Sequence, residues 1–437
     1  MIKKIFIYLL LFVLLFCYSY FLGYFNSDEI WCYGFGYNIS HGLVPYRDFN
    51  MVITPLLPFL GSLFTFLFGH HLWCVHILNS IMITFAIIIM YKDIGKKCFC
   101  LIPLLLVYLI YSYNLLAFLL IILIMYVFDS NFKNRELLLA LLVSFMFLTK
   151  QHIGICMFIP LIICNKNKFK SFIAFMIPII MLFIYLLINN AMYQFIDYCF
   201  LGLFDFGGNN SYYSYITILW IIEVIYFGYL VISSKLKNGL AFYILSFLVI
   251  CIPIFDHYHF SFCLIIFLYY ILRKYKFREY KYKYFIIMSC CYFLFIFVGS
   301  NVVSYFNINT NSNSFLYGRN VSNSMMNNID SIRYYVDLNK DKYNIYIFSA
   351  NAYIIKLELN MTLNQYDLIN NGNMGYQGYK RIISNLINYC STSDCLFILD
   401  KDMAGVQINN NIRNYVIDNY QYIEDIDNYK IYSNKVM

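Results

Sequence analysis

The sequence predicts a polytopic α-helical membrane protein, with about 11 membrane helices and a small extracytoplasmic α/β domain at its C-terminal end. Three observations support this fold class. Of the 437 residues, 61% are hydrophobic and 12% are charged, whereas a soluble domain has about 25% charged residues. Apolar runs recur along residues 1–300, and the composition becomes polar after them. These features exclude a disordered chain, a nucleic-acid-binding module and a soluble enzyme.

The first apolar run covers residues 5–25 and follows two lysines. As a helix it is about 31 Å long, which is enough to cross a hydrocarbon core of about 30 Å. It has no small-residue cleavage site, so we expect an uncleaved first span. Further apolar runs follow at residues 72–91, 99–112, 115–128, 137–148, 153–164, 171–188, 215–233, 240–254, 261–272 and 284–298.

Basic residues predict the orientation of these helices. Residues 1–300 contain 20 Lys and Arg, and 18 of them lie in connections on one side of the membrane if the N-terminus is cytoplasmic. This bias predicts a multi-pass protein of the cell membrane with its C-terminal domain outside. It also requires residues 137–164 to form a hairpin that enters from the cytoplasmic side. Arg47 and Lys150 are the two exceptions, and both fall on the outer side.

The first outer loop, residues 26–54, carries two clusters of charge. Asp28 and Glu29 stand where the first span leaves the membrane, and Arg47 and Asp48 follow later. A carboxylate at a membrane surface can deprotonate a hydroxyl group or hold a divalent metal ion. The plainer alternative is that Asp28 caps a helix. Between the clusters we expect a short amphipathic interfacial helix, and residues 55–68 predict a second interfacial or re-entrant helix.

Further candidate residues lie on the predicted outer side. Lys150 occupies the tip of the hairpin, where a buried lysine is costly unless it meets an anion or a polar cavity. The alternative is that its ammonium group reaches back to the outer surface. Asp256, His257 and His259 close a short outer turn, which can contribute to a metal or phosphate site or be a plain interfacial loop. Glu223 lies near the middle of a span, where a functional and a structural role are both open.

The chain after residue 300 is predicted to form a linker and a domain. Residues 301–328 are rich in Asn and Ser, which is typical of a linker. Residues 329–437 alternate strand and helix patterns, and the elements expected are strands at 345–348 and 395–399, helices at 379–389 and 412–420, and a hairpin of residues 422–426 and 429–432. The spacing of Cys390 and Cys395 permits a disulfide without requiring one.

Several segments together carry a family resemblance. They are Asp28-Glu29, residues 41–49 (HGLVPYRDF), residues 54–57 (TPLL) with Leu67-Phe68-Gly69, residues 147–151 (FLTKQ) and His257-Tyr258. In this order they resemble the multi-pass C-type glycosyltransferases, which include protein O-mannosyltransferases and the lipid A aminoarabinose transferase. Residues 1–300 are then a transmembrane glycosyltransferase-like domain. Aminoarabinose-type relatives carry an acid directly before the Lys-Pro of the juxtamembrane helix. Here Ile53 and Thr54 stand in those positions, so Asp48 would have to substitute.

The resemblance implies an integral membrane glycosyltransferase with a polyprenyl-phosphate sugar donor, an inverted product linkage and an extracytoplasmic glycan, lipid or protein acceptor. Asp28 would be the catalytic acid, as a base or a ligand of a divalent metal ion, with Asp48 as the second candidate. Lys150 and Arg47 would bind the donor phosphate. Metal or phosphate roles are open for Glu29, Asp256, His257 and His259. Two alternatives stay open: a transporter or flippase of a lipid-linked saccharide, and a non-catalytic membrane anchor for the outer domain.

Overall fold

The structure is a computed structural model of the chain. It describes residues 2–22, 27–107, 109–208, 214–252, 254–274, 287, 308–349, 351–369, 372–401 and 409–434. The apolar run predicted at residues 284–298 lies outside these ranges except for residue 287, so its helix stays a prediction.

Residues 2–274 are almost entirely helical where they are described. The helices are α1 (Ile2–Cys17), α2 (Ser27–Ser40), α3 (Leu56–Phe68), α4 (Trp73–Ile94), α5 (Ile102–Val107), α6 (Tyr113–Phe128), α7 (Arg135–Thr149), α8 (Gln151–Cys164), α9 (Lys168–Ile188), α10 (Met192–Cys199), α11 (Ser214–Ser233), α12 (Gly239–Phe247) and α13 (His257–Lys274). A π-helical turn, Tyr18–Leu22, continues α1. Short 3-10 segments at Gly95–Cys100, Leu201–Gly208 and Leu248–Cys251 follow α4, α10 and α12.

Three of the described helical stretches are long and apolar enough to cross a membrane by themselves, namely Trp73–Cys100, Lys168–Ile188 and Tyr215–Ser233. Other apolar helices, including α6 and α8, are shorter. Large apolar side chains such as Met181 and Ile225 are exposed along α9 and α11. Water would not stabilise such continuous apolar surfaces, whereas lipid does. The helical membrane fold is therefore confirmed, and the count of about 11 membrane helices stays a prediction.

One predicted run differs from a single helix. Residues 99–112 divide into the end of a 3-10 segment, the short helix α5 and an extended stretch that ends at Ser112. Ser112 is extended, with φ −155° and ψ 159°, and its hydroxyl group accepts the backbone N–H of Leu115 as the N-cap of α6. The apolar composition of this run reflects burial inside the protein, where Leu109, Ile110 and Tyr111 are almost fully covered.

The helix predicted between the two charge clusters of the first loop is buried on several sides. Residues 32–38 of α2 are all buried, so α2 is not an amphipathic helix lying on the membrane surface. Its glycines explain the close packing. A Cβ on Gly36 would stand 3.1 Å from the backbone of Gly61 in α3, and a Cβ on Gly34 would overlap side chains of the C-terminal part. α2 is therefore wedged between α3 and the C-terminal domain.

The C-terminal part is a small α/β domain, as the alternating pattern predicts. Its elements are α14 (Asn323–Asn339), β1 (Asn344–Phe348), α15 (Ala352–Glu358), α16 (Gly378–Cys390), β2 (Cys395–Asp400), α17 (Asn410–Asn419), β3 (Gln421–Ile426) and β4 (Tyr429–Ser433). The sheet order is β1-β2-β4-β3, with β1 and β2 parallel and the other pairs antiparallel. Alternate residues pack in opposite directions: Phe397 faces a core with α16 and α17, whereas Ile398 joins the core of the membrane domain.

The predicted linker is ordered where it is described. Phe315, Leu316 and Arg319 are almost fully buried, and Ile308 pairs with Asn320 in an isolated bridge. Cys390 and Cys395, which frame the connection from α16 to β2, form a disulfide.

Candidate active site

The hairpin of α7 and α8 carries Lys150 at its tip. Lys150 leaves the helical conformation, with φ −148° and ψ 99°, and separates the two antiparallel helices. Gly154 allows the second helix to approach the first, because a Cβ there would overlap the backbone of Phe147. The Lys150 side chain is 6% exposed. It does not reach the outer surface, so the structure favours the interpretation of a buried cation that needs polar partners.

The partners of Lys150 are neutral. Its ammonium group donates to Asn114 Oδ1 at 2.9 Å and to the backbone carbonyl of Ile250 at 3.1 Å. It also lies 5.4 Å from the centre of the Tyr113 ring, in cation–π distance. Among the described residues, no carboxylate forms an ion pair with Lys150. A buried ammonium with two neutral acceptors keeps one N–H and an uncompensated charge for an anion.

Asn114 connects Lys150 to the late outer turn. Its amide nitrogen donates to His259 Nε2 at 3.2 Å, so the proton of the histidine ring is on Nδ1. Nδ1 in turn donates to Asp256 Oδ1 at 2.7 Å, and the same oxygen accepts the backbone N–H of His259 at 2.8 Å. Burial opposes ionisation of Asp256, but these hydrogen bonds from His259 lower its pKa. Lys150, Asn114, His259 and Asp256 thus form one continuous hydrogen-bonded chain, which we call the lysine relay.

Asp28 faces this relay from the first turn of α2. It lies close enough to His259, Asp256 and Lys150 for the charges of all three to act on its ionisation. Burial raises the pKa of Asp28 above its ordinary value of 3.8, and the negative charge of Asp256 adds to this effect. The structure therefore brings Asp28, Lys150, Asp256 and His259 together at one end of the helical domain, although they come from four different parts of the sequence.

Glu29, the neighbour of Asp28, has different surroundings. Its two carboxylate oxygens lie 3.0 Å from Arg319 and 3.0 Å from His76, and it accepts the backbone N–H of Tyr111 at 3.2 Å. Glu29, His76 and Arg319 are almost fully buried. Burial opposes ionisation, but Arg319 and His76 lower the pKa of Glu29. These partners occupy both oxygens, which makes Glu29 a structural anchor rather than a free ligand for metal or phosphate.

Arg47 and Asp48 engage each other in the first loop. The guanidinium group donates to both Asp48 oxygens, at 2.7 and 2.9 Å, and Asp48 also accepts the backbone N–H of Val44 at 2.7 Å. Side-chain exposures are 42% for Arg47 and 24% for Asp48. No described contact joins this pair to the lysine relay. Their predicted catalytic and phosphate-binding roles stay predictions, and both would require the pair to separate.

His257 is exposed and hydrogen-bonds through Nε2 to the hydroxyl group of Tyr215. The ring therefore points to α11 rather than joining His259 in the relay. Within the part of the chain that the structure describes, no three His, Cys, Asp or Glu side chains are arranged to hold a metal ion. The predicted roles of Asp28, Asp256 and His259 towards a divalent metal ion stay predictions.

Two site residues carried no signal in the sequence. Asn114 is one of many asparagines, and Arg319 lies in a segment with the composition of a linker. Each gains its role from contacts across long sequence separations, 36 residues from Asn114 to Lys150 and 290 from Arg319 to Glu29.

Comparisons with known proteins give one kind of match. No family model matches the sequence, and no curated protein does. Among solved structures, ArnT from Cupriavidus metallidurans bound to undecaprenyl phosphate aligns with a TM-score of 0.61 and 8% identity, covering 99% of this chain and 98% of that chain. The same protein in the apo state aligns with a TM-score of 0.59 and 7% identity over the same shares. The chain has the fold of ArnT.

The likeness to ArnT shows a shared fold, in agreement with the polytopic architecture that the sequence resemblance implies. The match spans nearly all of both chains, so it includes the C-terminal α/β domain as well as the helices. An identity of 7–8% is enough to show a shared fold, while chemistry has to be argued from the site itself.

Proposed function

We propose that the chain is an integral membrane glycosyltransferase that moves a sugar from a polyprenyl phosphate to an acceptor on the extracytoplasmic side. The observation that carries the proposal is the buried Lys150 ammonium group, which has neutral partners and faces the carboxyl group of Asp28. A buried cation beside a carboxyl group of raised pKa suits a reaction in which a phosphate leaves and a hydroxyl group loses its proton. ArnT, whose fold the chain shares, was solved with undecaprenyl phosphate bound.

In the proposed reaction, Asp28 is the general base. Its carboxylate takes the proton of the acceptor hydroxyl group as the acceptor oxygen bonds to C1 of the sugar. The bond between C1 and the phosphate oxygen breaks, and its electron pair stays on the leaving polyprenyl phosphate. Attack from the face opposite the phosphate inverts the configuration at C1. Lys150 stabilises the added charge on the phosphate through its remaining N–H, because a cation in a low-dielectric site interacts strongly with an anion.

The lysine relay supports this role of Lys150. Asn114 and the Ile250 carbonyl hold the ammonium group without neutralising it. Asp256 and His259 fix the orientation of Asn114 from the other side. Asp256 thereby acts as a positioning residue, and its lowered pKa keeps it ionised while Asp28 exchanges protons.

The test is sugar transfer by purified protein in vesicles that contain a panel of radiolabelled polyprenyl-phosphate sugars. Asp28→Asn should abolish transfer, by about a thousandfold or more if it is the base, while the melting temperature stays near that of the wild type. Asp337→Asn, an exposed change in α14, is the matched control and should transfer normally. Retained transfer by Asp28→Asn contradicts the proposal. Movement of the lipid-linked sugar across the bilayer without bond formation favours the flippase alternative instead.

A further inference from the structure

A polar cavity lies at the end of the α7–α8 hairpin that is far from Lys150. Its volume is about 500 Å³, and it is formed by the connection from α6 to α7 and by the start of α9. Three cationic side chains, Lys133, Arg135 and Lys170, line it together with amide groups of the same loops. Arg135 opens α7 and Lys150 follows its last residue. α7 has 15 residues and is therefore about 22 Å long, so the cavity and the lysine relay are separate sites.

The charges of this cavity are not balanced. Glu136 is the one acidic residue of its lining, and its two carboxylate oxygens accept the backbone N–H groups of Lys166 and Asn167, each at 3.1 Å. Arg135 donates to the Phe128 carbonyl at 3.3 Å. Within the described residues, no ion pair involves Lys133, Arg135 or Lys170. Three cations without anionic partners around one opening favour the binding of an anion.

The position of the cavity indicates the kind of anion. It lies where the apolar helices α7 and α9 begin, and the side chain of Phe132 (50% exposed) lines it. Phe169 (75% exposed) does not line the cavity but directly precedes Lys170, which does. Basic residues at the ends of membrane helices contact the headgroups of anionic lipids, and apolar neighbours contact the acyl chains.

We propose that this cavity binds the phosphate headgroup of an anionic membrane phospholipid, in the leaflet opposite to the lysine relay. Lys133 and Lys170 contact the phosphate, and Phe132 and Phe169 contact the chains. Glu136 holds the loop that starts α9, and so keeps the cavity open rather than neutralising it.

Native mass spectrometry of the full-length protein, titrated with phosphatidylglycerol or phosphatidylcholine, tests this proposal. Each lysine near a membrane surface contributes about fivefold to the binding of an anionic lipid. Lys133→Gln combined with Lys170→Gln should therefore weaken phosphatidylglycerol binding by at least about tenfold, with an unchanged melting temperature. The control is Lys235→Gln with Lys237→Gln, a pair of lysines in another loop on the same predicted side. They do not line the cavity and so do not contact a headgroup bound there, and the change should leave binding within about twofold.

The proposal is overturned by full binding in the double variant, by an equal loss in the control pair, or by equal binding of phosphatidylcholine. Displacement of the lipid by millimolar inorganic phosphate also overturns it, because the site then takes a soluble anion. If the double variant does not fold, Lys133→Gln alone decides the question, since Lys133 lies in an exposed connection outside the helices and its loss should still cost about fivefold.

Discussion

Asp28 and Asp256 are two carboxyl groups near one lysine, yet their pKa values shift in opposite directions. Burial raises the pKa of Asp28, and the hydrogen bonds from His259 outweigh burial and lower the pKa of Asp256. Environments that separate two carboxyl groups in this way assign them different roles. Asp256 stays charged and orients its neighbours, whereas the raised pKa of Asp28 suits a group that takes up and releases a proton.

The raised pKa of Asp28 predicts an acid limb in the pH profile. A general base works only when ionised, so kcat/KM should fall as the pH decreases through the pKa of Asp28, with a midpoint above the ordinary value of 3.8. Transfer rates measured from neutral pH downwards check this. Asp28→Glu should keep an acid limb but move its midpoint. A profile that stays flat to pH 4 in the wild type would contradict the role of Asp28 as the base.

Asn114 provides a second prediction at the scale of single residues. Asn114→Asp would place a carboxylate 2.9 Å from the Lys150 ammonium group, at the position of the present amide oxygen. The new ion pair would neutralise the cation, so KM for the donor should rise by about tenfold or more. A purely structural Asn114 would change the melting temperature and leave KM alone. The control is Asn364→Asp in the C-terminal domain, where the side-chain oxygen accepts the backbone N–H of Tyr366 two residues on.

At the scale of elements, the α7–α8 hairpin places Lys150. The two helices touch at Gly154 and Phe147, one turn from the tip on either side. A side chain at residue 154 would force them apart and move the tip. The hairpin is thus a rigid support, and the position of its cation depends on backbone packing rather than on the lysine side chain alone.

Gly154→Ala should therefore destabilise the protein by about 1–3 kcal/mol and lower sugar transfer, because an added methyl group has no room beside the Phe147 backbone. Thermal unfolding in detergent and transfer assays measure the two effects. Gly228→Ala in α11 is a matched control, since a Cβ there meets nothing within 4 Å. Equal behaviour of the two variants would show that the helices do not pack as closely as described.

Much of the element pattern could be predicted from the sequence, because membrane helices and alternating strands have strong periodic signals. The predicted helix at residues 171–188 is α9, and the strand at residues 395–399 is β2. The exceptions have physical reasons. α2 is buried on several sides, whereas the spacing of its apolar residues is also typical of an amphipathic helix with one exposed face. The break between α5 and α6 depends on the Ser112 cap and on packing, and neither can be predicted from a continuous run of apolar residues.

The candidate site was partly predictable for a different reason. Charged residues are rare in residues 1–300, so Asp28, Lys150 and Asp256 stand out against an apolar background. The sequence could not separate the roles of adjacent acids. Asp28 and Glu29 differ because one faces the lysine relay and the other faces Arg319, and the direction of each side chain follows from the whole fold.

At the scale of the whole molecule, the C-terminal domain holds the first loop from several sides. Asn38 of α2 exchanges two hydrogen bonds with the backbone of Leu363, at 3.0 and 2.9 Å. Asp197 of α10 accepts the backbone N–H of Tyr376 at 2.9 Å and pairs with Arg381 at 3.3 Å. The contacts of Asn38 fix the helix that carries Asp28, and those of Asp197 join the domain to α10. The domain is therefore a structural part of the candidate active site, because it holds the helix that carries Asp28.

The buried pair of Glu29 and Arg319 gives the sharpest test of this coupling. Arg319→Gln leaves the Glu29 carboxylate buried with one fewer partner, which should cost about 3–5 kcal/mol of stability. Because Asp28 directly precedes Glu29, a shift of Glu29 would move Asp28, and sugar transfer should fall together with stability. Because Arg319 and His76 lower the pKa of Glu29, the wild type gains stability from this carboxylate above its ordinary pKa of 4.5 and loses it as the pH falls through the lower folded value.

Thermal unfolding of single and double variants measures the coupling. Lys340→Gln, which removes a cation from an exposed pair with Asp337, is the control and should change the melting temperature little. Glu29→Gln combined with Arg319→Gln should be less unstable than the sum of the single changes, because neither charge is then left alone in the interior. Additive losses in the double variant would mean that the two side chains do not meet, and that the C-terminal domain does not hold α2 through them.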